Sequence, residues 1–373
     1  MTAAEIERAF DAADPLAVGV EEELMLLDLE TGDLAPRAAE VLELLGGDPR
    51  YKLELPASQL EIVSGPCGSV AELGARMASG RAELAAAVDG VVGLGAAGTH
   101  PFAAVEGELN LGERYRPTAE GFGRYARRQL VLALQVHVAL GSAERTLAVY
   151  AGLRPLLPEI AALAANAPFH GGVDTGLASV RPKISESLPR QGVPPPLESW
   201  DEYAAALAWG RRSGAMPGDY TWWWELRPHP RFGTLELRVP DAQTTPEAAA
   251  AVAAFAHCLV AWLADRADAG EAFAPTPSWR IAENRWWALR DGVEAKLADL
   301  ETGERRPVRE LLTEMLGELE PYGRRLECAA ELAGVGELIV ANGAMRQRAI
   351  AAERGLQGLI GWLRERFTAP RLD

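Results

Sequence analysis

Five short stretches of the chain alternate apolar and polar residues, which is the pattern of β-strands with two different faces. These stretches are "GVEEELMLL", "SQLEIV", "LALQVHVAL", "WWWELRPHP" and "TLELRVPDA". In each, one face is apolar and the other carries Glu, Gln, His or Arg, and none contains a lysine. A sheet with one side in water explains any single stretch, but such a side normally carries lysines among its acids. We therefore predict a curved sheet whose polar face lines a cleft.

The remaining pattern is mostly helical. Residues 36–48 and 69–92 are rich in Ala, Leu and Glu at helical spacing. From Pro246 onward the sequence predicts helices to the end, the last being an amphipathic helix in the tail. Between these parts, residues 166–199 are proline-rich and lack an apolar period, which is typical of a lid or binding loop. We find no strong boundary and predict one domain over 1–373, with a mostly helical C-terminal part from about 246.

Size, charge and cysteine content narrow the class of protein. The chain has 373 residues and a net charge of -16, which argues against a nucleic-acid binder or a binder of anionic membranes. Its three cysteines are far apart, so neither a zinc site nor a disulfide framework is indicated, and a cytoplasmic location is expected. The N-terminus lacks the apolar core of a signal peptide. The apolar run 248–264 predicts a buried helix rather than a membrane span.

The glutamates of the first strand are the strongest functional signal. Glu21 and Glu23 fall on one face, and Glu22 falls on the other. Carboxylates placed close together repel each other, and a bound divalent cation removes that repulsion. Possible partners on other segments are Glu54, Glu61, His137 and Glu236. We interpret this set as ligands of Mg²⁺, which prefers oxygen ligands and binds together with substrate phosphates. The alternative is an exposed edge strand with solvated acids.

Other short motifs carry less weight. The stretch "GLGAAG" at 93–98 matches a dinucleotide-binding pattern, but Pro101 follows it closely where that pattern requires a helix. We interpret the stretch as a glycine-rich turn or the entry to a strand. His229, between two prolines, is either a site residue or structural.

Eight segments, taken together, make the chain resemble a known family, the type-2 glutamate–cysteine ligases, also called carboxylate–amine ligases. The segments are "GVEEELMLLD", "LELPASQLEIVSGPC", "GTHPFA", "LQVHVALG", "DTGLASVR", "WWWELRPHPRFGTLELRVPDAQTT", "ENRWWALRDG" and "GAMRQRA". They occur in order from about 18 to 350. The resemblance implies an α+β fold with a glutamine-synthetase-like curved antiparallel sheet surrounded by helices. It also implies ATP-dependent joining of the glutamate side-chain carboxylate to an amine such as cysteine, with Mg²⁺ or Mn²⁺ held by strand glutamates.

The resemblance also implies roles for single residues. Glu21, Glu23, Glu54, Glu61, His137 and Glu236 match the metal ligands, and Arg238 matches an arginine that faces phosphate. Further residues are weaker candidates because ordinary salt bridges or turns explain them equally well. These are Arg181 and Arg227 for carboxylate or phosphate, Asp174, Thr175 and Ser179 for the amino-acid pocket, and Asn284, Arg285 and Arg290 for the nucleotide.

The sequence departs from the family pattern in three places, and it leaves two functions other than ligation open. "FHGGV" replaces a more aromatic stretch before "DTG", Pro56 replaces a helix-compatible residue, and Glu225 stands where Asp is expected. The first change lies in the stretch that the resemblance assigns to the substrate loop, so it bears most directly on which amine is used. Two other functions fit the same sheet: an ATP-dependent phosphotransferase of the guanidino-kinase kind, and a non-catalytic sensor of amino acids or nucleotides. A homodimer is compatible with the general frequency of such assemblies.

Overall fold

The computed structural model describes residues 1–110, 112–216, 218 and 221–369. A seven-stranded antiparallel sheet, made of β1–β5, β8 and β9, lies at its centre, and two small hairpins pair β6 with β7 and β10 with β11. The strands are β1 (Val18–Leu27), β2 (Tyr51–Leu53), β3 (Gln59–Val63), β4 (Gly93–Gly95), β5 (Leu134–Ala139), β6 (Phe169–His170), β7 (Val173–Asp174), β8 (Leu226–His229), β9 (Thr234–Leu237), β10 (Lys296–Ala298) and β11 (Arg305–Pro307).

The strand register places the predicted polar residues on a single face. The sheet order is β2-β3-β1-β5-β9-β8, and β4 pairs with the far end of β1. Glu23 lies opposite Glu61, and His137 lies opposite Glu236. Glu236 in turn lies opposite Arg227. Residues directly opposite in an antiparallel pair share a face, so the polar side chains of five strands converge.

Fifteen helices surround this sheet in the described part of the chain. They are α1 (Ala3–Asp11), α2 (Ala38–Leu44), α3 (Val70–Ala87), α4 (Arg116–Phe122), α5 (Arg124–Arg127), α6 (Ala143–Leu153), α7 (Leu157–Leu163), α8 (Arg181–Ser185), α9 (Trp200–Ser213), α10 (Pro246–Asp268), α11 (Ser278–Asp291), α12 (Val308–Arg325), α13 (Ala329–Ala333), α14 (Val335–Val340) and α15 (Gly343–Arg366). Several begin at a side-chain cap. Ser69, Thr245 and Asn342 each accept a hydrogen bond from a backbone N–H of the first turn.

The apolar face of the sheet is covered by helices. α3, α6 and α10 pack against its strands, and α10 is surrounded by α3, α6, α12 and α13. Among the residues that the structure describes, α10 is the one helix long and apolar enough to span a membrane. Its most apolar stretch of 18 residues is 89% buried inside the protein. It is therefore the central core helix that the sequence predicts.

One glutamate lies in this apolar layer. Glu22 points away from the cleft, as predicted, and is fully buried. Arg81 of α3, also fully buried, donates two hydrogen bonds to its carboxylate, at 2.6 and 3.0 Å. The remaining N–H groups of Arg81 donate to the backbone carbonyls of Gln243, Thr244 and Phe367. The pair thus ties β1 to α3 and to two distant segments of the chain.

The predicted helix bounds were too generous. The helix predicted over 36–48 covers only 38–44, and the one predicted over 69–92 ends at Ala87. The loop predicted over 166–199 contains the hairpin β6–β7 and the short helix α8 but is otherwise irregular. The glycine-rich stretch at 93–98 begins with β4, so its interpretation as a strand entry is confirmed. In the C-terminal part, the hairpin β10–β11 interrupts the predicted helices.

Candidate active site

A cleft of about 720 Å³ lies over the polar face of the sheet. This volume is in the usual range for sites that bind small molecules. The cleft is strongly charged. Its charged lining residues are Glu21, Glu23, Lys52, Glu54, Glu61, Arg114, Arg181, Glu225, Arg227, Arg231, Arg238 and Arg285. The predicted cleft over the polar face is therefore present.

Glu21, which lines the cleft, and two buried side chains next to the lining form a potential cation site. Glu21, His137 and Glu236 each offer one ligand atom, and these atoms lie within 4.8 Å of one another. His137 Nε2 is 4.0 Å from an oxygen of Glu21 and 4.0 Å from an oxygen of Glu236. This nitrogen is buried without a hydrogen-bond partner, whereas Nδ1 of the same ring is hydrogen bonded to the Thr234 hydroxyl at 3.0 Å. An oriented ring with one unpartnered nitrogen between two carboxylates is the arrangement that a metal ligand requires.

Two arginines keep one of these carboxylates ionised. Glu236 is fully buried, and Arg227 and Arg238 both donate to its carboxylate. Burial raises the pKa of Glu236, but the two guanidinium groups outweigh burial and hold that pKa well below its usual range. Burial also lowers the pKa of His137, so its imidazole stays neutral at pH 7. Both side chains are therefore in the protonation state in which they can bind a cation.

A second group of acids behaves in the opposite way. Burial, with help from the neighbouring acids, raises the pKa of Glu54 to about 7, and burial raises the pKa of Glu23 to about 7. The pKa of Glu61 is also raised well above its usual range, first by burial and then by Glu21 and Glu54. Glu54 lies just after β2 rather than within a strand. These carboxylates lack enough positive charge around them, which is the condition that a bound cation corrects.

Glu23 and Arg238 are both held by Gln135 of β5. The Gln135 amide donates to Glu23 at 2.9 Å, and its carbonyl oxygen accepts a hydrogen bond from Arg238. The backbone N–H of Ala133 donates a second hydrogen bond to Glu23, at 2.7 Å. The sequence pattern placed Gln135 on the polar face but gave it no role; its place beside the two charged groups shows that it orients both.

Two further arginines of the cleft are engaged with acids. Arg181 donates to Asp241 at 2.6 Å and to the Val239 carbonyl. Arg285, predicted as a nucleotide contact, forms a two-point ion pair with Glu225 and also binds Glu186. Arg285 therefore connects helix α11 to the residue that precedes β8 and to the loop that follows α8. Both arginines line the cleft, but their guanidinium groups are already bonded to protein carboxylates.

Besides His137 and Glu236, which contact residues of the lining, five predicted site residues lie outside the lining of the cleft. Thr175 bonds the Pro168 carbonyl, and Ser179 donates to Asp241. Asn284 makes a reciprocal pair of hydrogen bonds with the backbone of Ala298. The other two residues, Asp174 and Arg290, lie at a separate, open surface depression.

These five positions have ordinary structural partners. Asp174 pairs with Arg348, and Arg290 pairs with Asp291. The substrate-pocket and nucleotide roles predicted for the five residues therefore gain no support from their positions. A match to a family motif identifies the position of a residue in the sequence, but it does not tell whether the side chain faces the ligand.

The sequence interpretation missed three basic residues that line the cleft, Lys52, Arg114 and Arg231, of which the first two lie near its acids. Lys52 of β2 lies opposite Glu61, and its ammonium group is 3.2 Å from a Glu61 oxygen. Arg114 lies before α4 and lines the cleft near Glu54 and Glu61. Burial lowers the pKa of Arg114, but the negative charges of Tyr115, Glu54 and Glu61 outweigh burial and raise that pKa above its usual value. The alternation of Lys52 with Glu54 in "YKLEL" was an available signal for the first. No periodic pattern marks the second.

Comparison with known proteins decides the family. A family model described as glutamate–cysteine ligase family 2 matches residues 17–360. The chain belongs to this family. A relative from Rubrobacter xylanophilus, provisionally named glutamate–cysteine ligase 2-3, is 41% identical over 368 residues, covering 96% of this chain and 99% of the relative. One from Mycobacterium ulcerans, provisionally named glutamate–cysteine ligase 2, is 36% identical, covering 90% and 86%.

Solved structures confirm the fold of this family-2 ligase. A glutamate–cysteine ligase from Francisella tularensis, solved in complex with AMP, has a TM-score of 0.71 at 12% identity and covers 96% of this chain and 90% of its own. A bifunctional glutathione synthetase from Pasteurella multocida has a TM-score of 0.66 at 13% identity, covering 98% of this chain and 53% of its own. The predicted glutamine-synthetase-like α+β fold is therefore confirmed. As a member of the family, the protein is an ATP-dependent ligase that forms a carbon–nitrogen bond.

Proposed function

We propose that this protein joins the γ-carboxylate of glutamate to an amine, with cysteine as the first candidate, through an acyl phosphate made from ATP. The observation that carries this proposal is the cluster of Glu21, His137 and Glu236 next to Arg227 and Arg238, which line the cleft. The names of the relatives support glutamate and cysteine as substrates. The AMP bound to the Francisella tularensis enzyme supports a nucleotide as co-substrate.

The chemistry explains why such a site needs both acids and arginines. A carboxylate and an amine do not form an amide in water unless the carboxylate is activated first. In the proposed reaction the γ-carboxylate attacks the terminal phosphate of ATP and ADP leaves; the amine then attacks the acyl carbon and phosphate leaves. Both steps bring several negative charges together, so fixed positive groups lower their barriers.

The residues present fit a divalent metal ion. The unpartnered Nε2 of His137, the ionised Glu236 and the oxygens of Glu21 would hold Mg²⁺ or Mn²⁺, and Glu23, Glu54 and Glu61 offer further oxygen ligands. When bound, the metal supplies positive charge next to the phosphates of the nucleotide. The raised pKa values of Glu23 and Glu54 mean that these carboxyls release protons when they become ligands.

The arginines have separate tasks in this proposal. Arg238 lines the cleft, is held in place by Gln135 and Glu236, and stabilises the phosphoryl group during transfer. Arg227 fixes the other side of the Glu236 carboxylate. Arg181 and Arg285, each already bonded to an acid, keep the wall of the cleft rigid. Preorganised charges of this kind do not need to reorient during the reaction.

A product assay tests the proposal. The purified protein is incubated with ATP, Mg²⁺ and glutamate, once without an amine and once with each amine of a panel that includes cysteine. Phosphate release and product mass are measured. We expect ADP, phosphate and a γ-glutamyl amide in equal amounts. The matched control is Glu43→Gln, an exposed glutamate of α2 outside the lining of the cleft, which should leave the rate unchanged.

The same assay separates the two other functions. A stable phosphorylated product without amide would show a phosphotransferase. Binding of nucleotide and glutamate with no ADP in any mixture would show a sensor. Either result contradicts the ligase proposal.

A further inference from the structure

A positive group of the protein itself lies against two of the acids that are proposed to bind the cation. Lys52 is the one lysine among the residues that line the cleft. Its Nζ lies 3.2 Å from Glu61 Oε1 and 3.9 Å from Glu21 Oε1. The same Glu21 oxygen is the atom that lies 4.0 Å from His137 Nε2. The ammonium group and the candidate metal ligand Nε2 therefore both lie about 4 Å from one carboxylate oxygen.

We propose that Lys52 is an internal counter-cation, which neutralises the acids of the cleft in the metal-free protein and is displaced when a divalent cation binds. This inference rests on the proposed function only in taking the cleft acids as a cation site. It goes beyond that function in predicting that the protein itself competes with the metal.

The chemistry of lysine suits this task. An ammonium group is a compact, strongly hydrated point charge on a flexible stem, whereas a guanidinium group forms a fixed two-point bond. The Lys52 side chain is 38% exposed, so its ammonium group can move into the cleft without displacing buried side chains. By contrast, Arg81, which holds Glu22, and Arg227, which holds Glu236, are buried and make several bonds each.

The electrostatics of the acids give a reason for a counter-cation. Glu21 and Glu61 approach a common positive group, and Glu54 and Glu23 are close enough to act on each other's charge. Without any cation these carboxylates repel each other. A lysine that supplies part of the missing charge keeps the empty cleft folded, and a divalent ion that supplies more charge replaces it.

The inference predicts an unusual direction for a substitution at an active site. Removing Lys52 should strengthen the binding of a divalent cation, because the competing charge is gone. Mn²⁺ alone, without nucleotide, is titrated into the protein and the free ion is followed by electron paramagnetic resonance. The site is identified as the binding that disappears in Glu21→Gln. We expect Lys52→Met to bind Mn²⁺ there about threefold to tenfold more tightly than the wild type.

Two further variants complete the test. Lys52→Arg keeps the charge and adds bonding groups, so it should bind Mn²⁺ as weakly as the wild type or more weakly. It carries the test if Lys52→Met does not fold without metal. Lys296→Met, an exposed lysine on β10, is the matched control and should leave the affinity unchanged.

The outcomes separate this inference from the proposed function. Equal or weaker Mn²⁺ binding by Lys52→Met, or tighter binding by Lys52→Arg, overturns the counter-cation role while leaving ligation by the wild type to be judged in the product assay. If no Mn²⁺ binding depends on Glu21, both the counter-cation role and the proposed metal site are wrong.

Discussion

Glu22 and Glu23 are neighbours on β1, yet the two faces of the sheet treat them in opposite ways. Glu22 is buried in the apolar layer, and the two-point ion pair with Arg81 neutralises it. Glu23 faces the cleft, and its pKa is raised to about 7 because burial is not balanced by enough positive charge. Its hydrogen bonds come from the Ala133 N–H and the Gln135 amide, which are neutral groups.

The difference separates charges that hold the fold from charges that bind a ligand. A buried acid with a complete set of partners is a structural element, and removal of its partner destabilises the protein. A buried acid without enough positive charge is unfavourable in the empty protein and becomes favourable only when a cation arrives. Glu236 combines both cases, since two arginines hold it and it also faces the candidate metal ligand His137.

The largest effect is expected on the structural side. Arg81→Met should lower the free energy of unfolding by about 3–5 kcal/mol, because it leaves Glu22 buried without a counter-charge. Denaturant unfolding followed by circular dichroism measures the change. The double variant Glu22→Gln with Arg81→Met should recover part of the loss. A single variant as stable as the wild type would contradict the structural role of the pair.

The second prediction compares two acids of the cleft. Glu23→Gln and Glu236→Gln should each lower kcat/KM for ligation by roughly 10²–10³-fold, since each removes a negative ligand of the proposed cation. Only Glu236→Gln should also destabilise the protein, by about 2–4 kcal/mol, because Arg227 and Arg238 lose the buried charge that they share. Glu23→Gln should keep or raise stability in the absence of metal.

Steady-state kinetics and thermal unfolding of the same preparations measure both effects. Full activity of either variant would contradict its role as a ligand. Equal losses of stability in the two variants would contradict the additional structural role of Glu236.

The third prediction concerns pH. The pKa of Glu54 is raised to about 7 in the folded protein, so folding favours its neutral form. The stabilising contribution of that form is complete below about pH 4.5 and is lost as the pH rises through 7. Relative to Glu54→Gln, the metal-free wild type should therefore lose roughly 1–2 kcal/mol between pH 5 and 8. Saturating Mg²⁺ should abolish this difference. The free energy of unfolding measured at each pH tests it, and a pH-independent difference would show that Glu54 is not perturbed.

The smallest effect is expected outside the cleft. Asp174→Asn removes an exposed ion pair with Arg348, and such pairs contribute about 0–1 kcal/mol. Its kcat/KM should stay within about twofold of the wild type. A large increase in KM for an amino-acid substrate would instead place the substrate loop in the site and revive the role that the sequence suggested.

The strand faces were predictable because alternation is a local property of the sequence. The positions of Glu21, Glu61, His137 and Glu236 on one face followed from alternation, and the pairing of the strands only had to bring them together. The family resemblance then identified the fold, which the structural comparisons confirm.

Contacts between distant segments were not predictable from local pattern. No local pattern near Glu22 predicts its partner Arg81, which lies in a helix 59 positions later. The same limit explains why the roles predicted for Asp174, Thr175, Ser179, Asn284 and Arg290 gained no support from their positions. Asn284 and Thr175, for example, carry the polar groups expected in a site, but their bonds to the chain's own backbone decide their role. Lys52 was overlooked because its strand is only three residues long.

The central claim is that Glu21, His137 and Glu236 bind a divalent cation. Crystals of the protein grown with Mn²⁺ and a non-hydrolysable ATP analogue, measured at the manganese absorption edge, test it most directly. We predict an anomalous peak within coordination distance of His137 Nε2 and of oxygens of Glu21 and Glu236. A fully occupied nucleotide whose manganese lies elsewhere, with His137 Nε2 still unpartnered, would contradict the account.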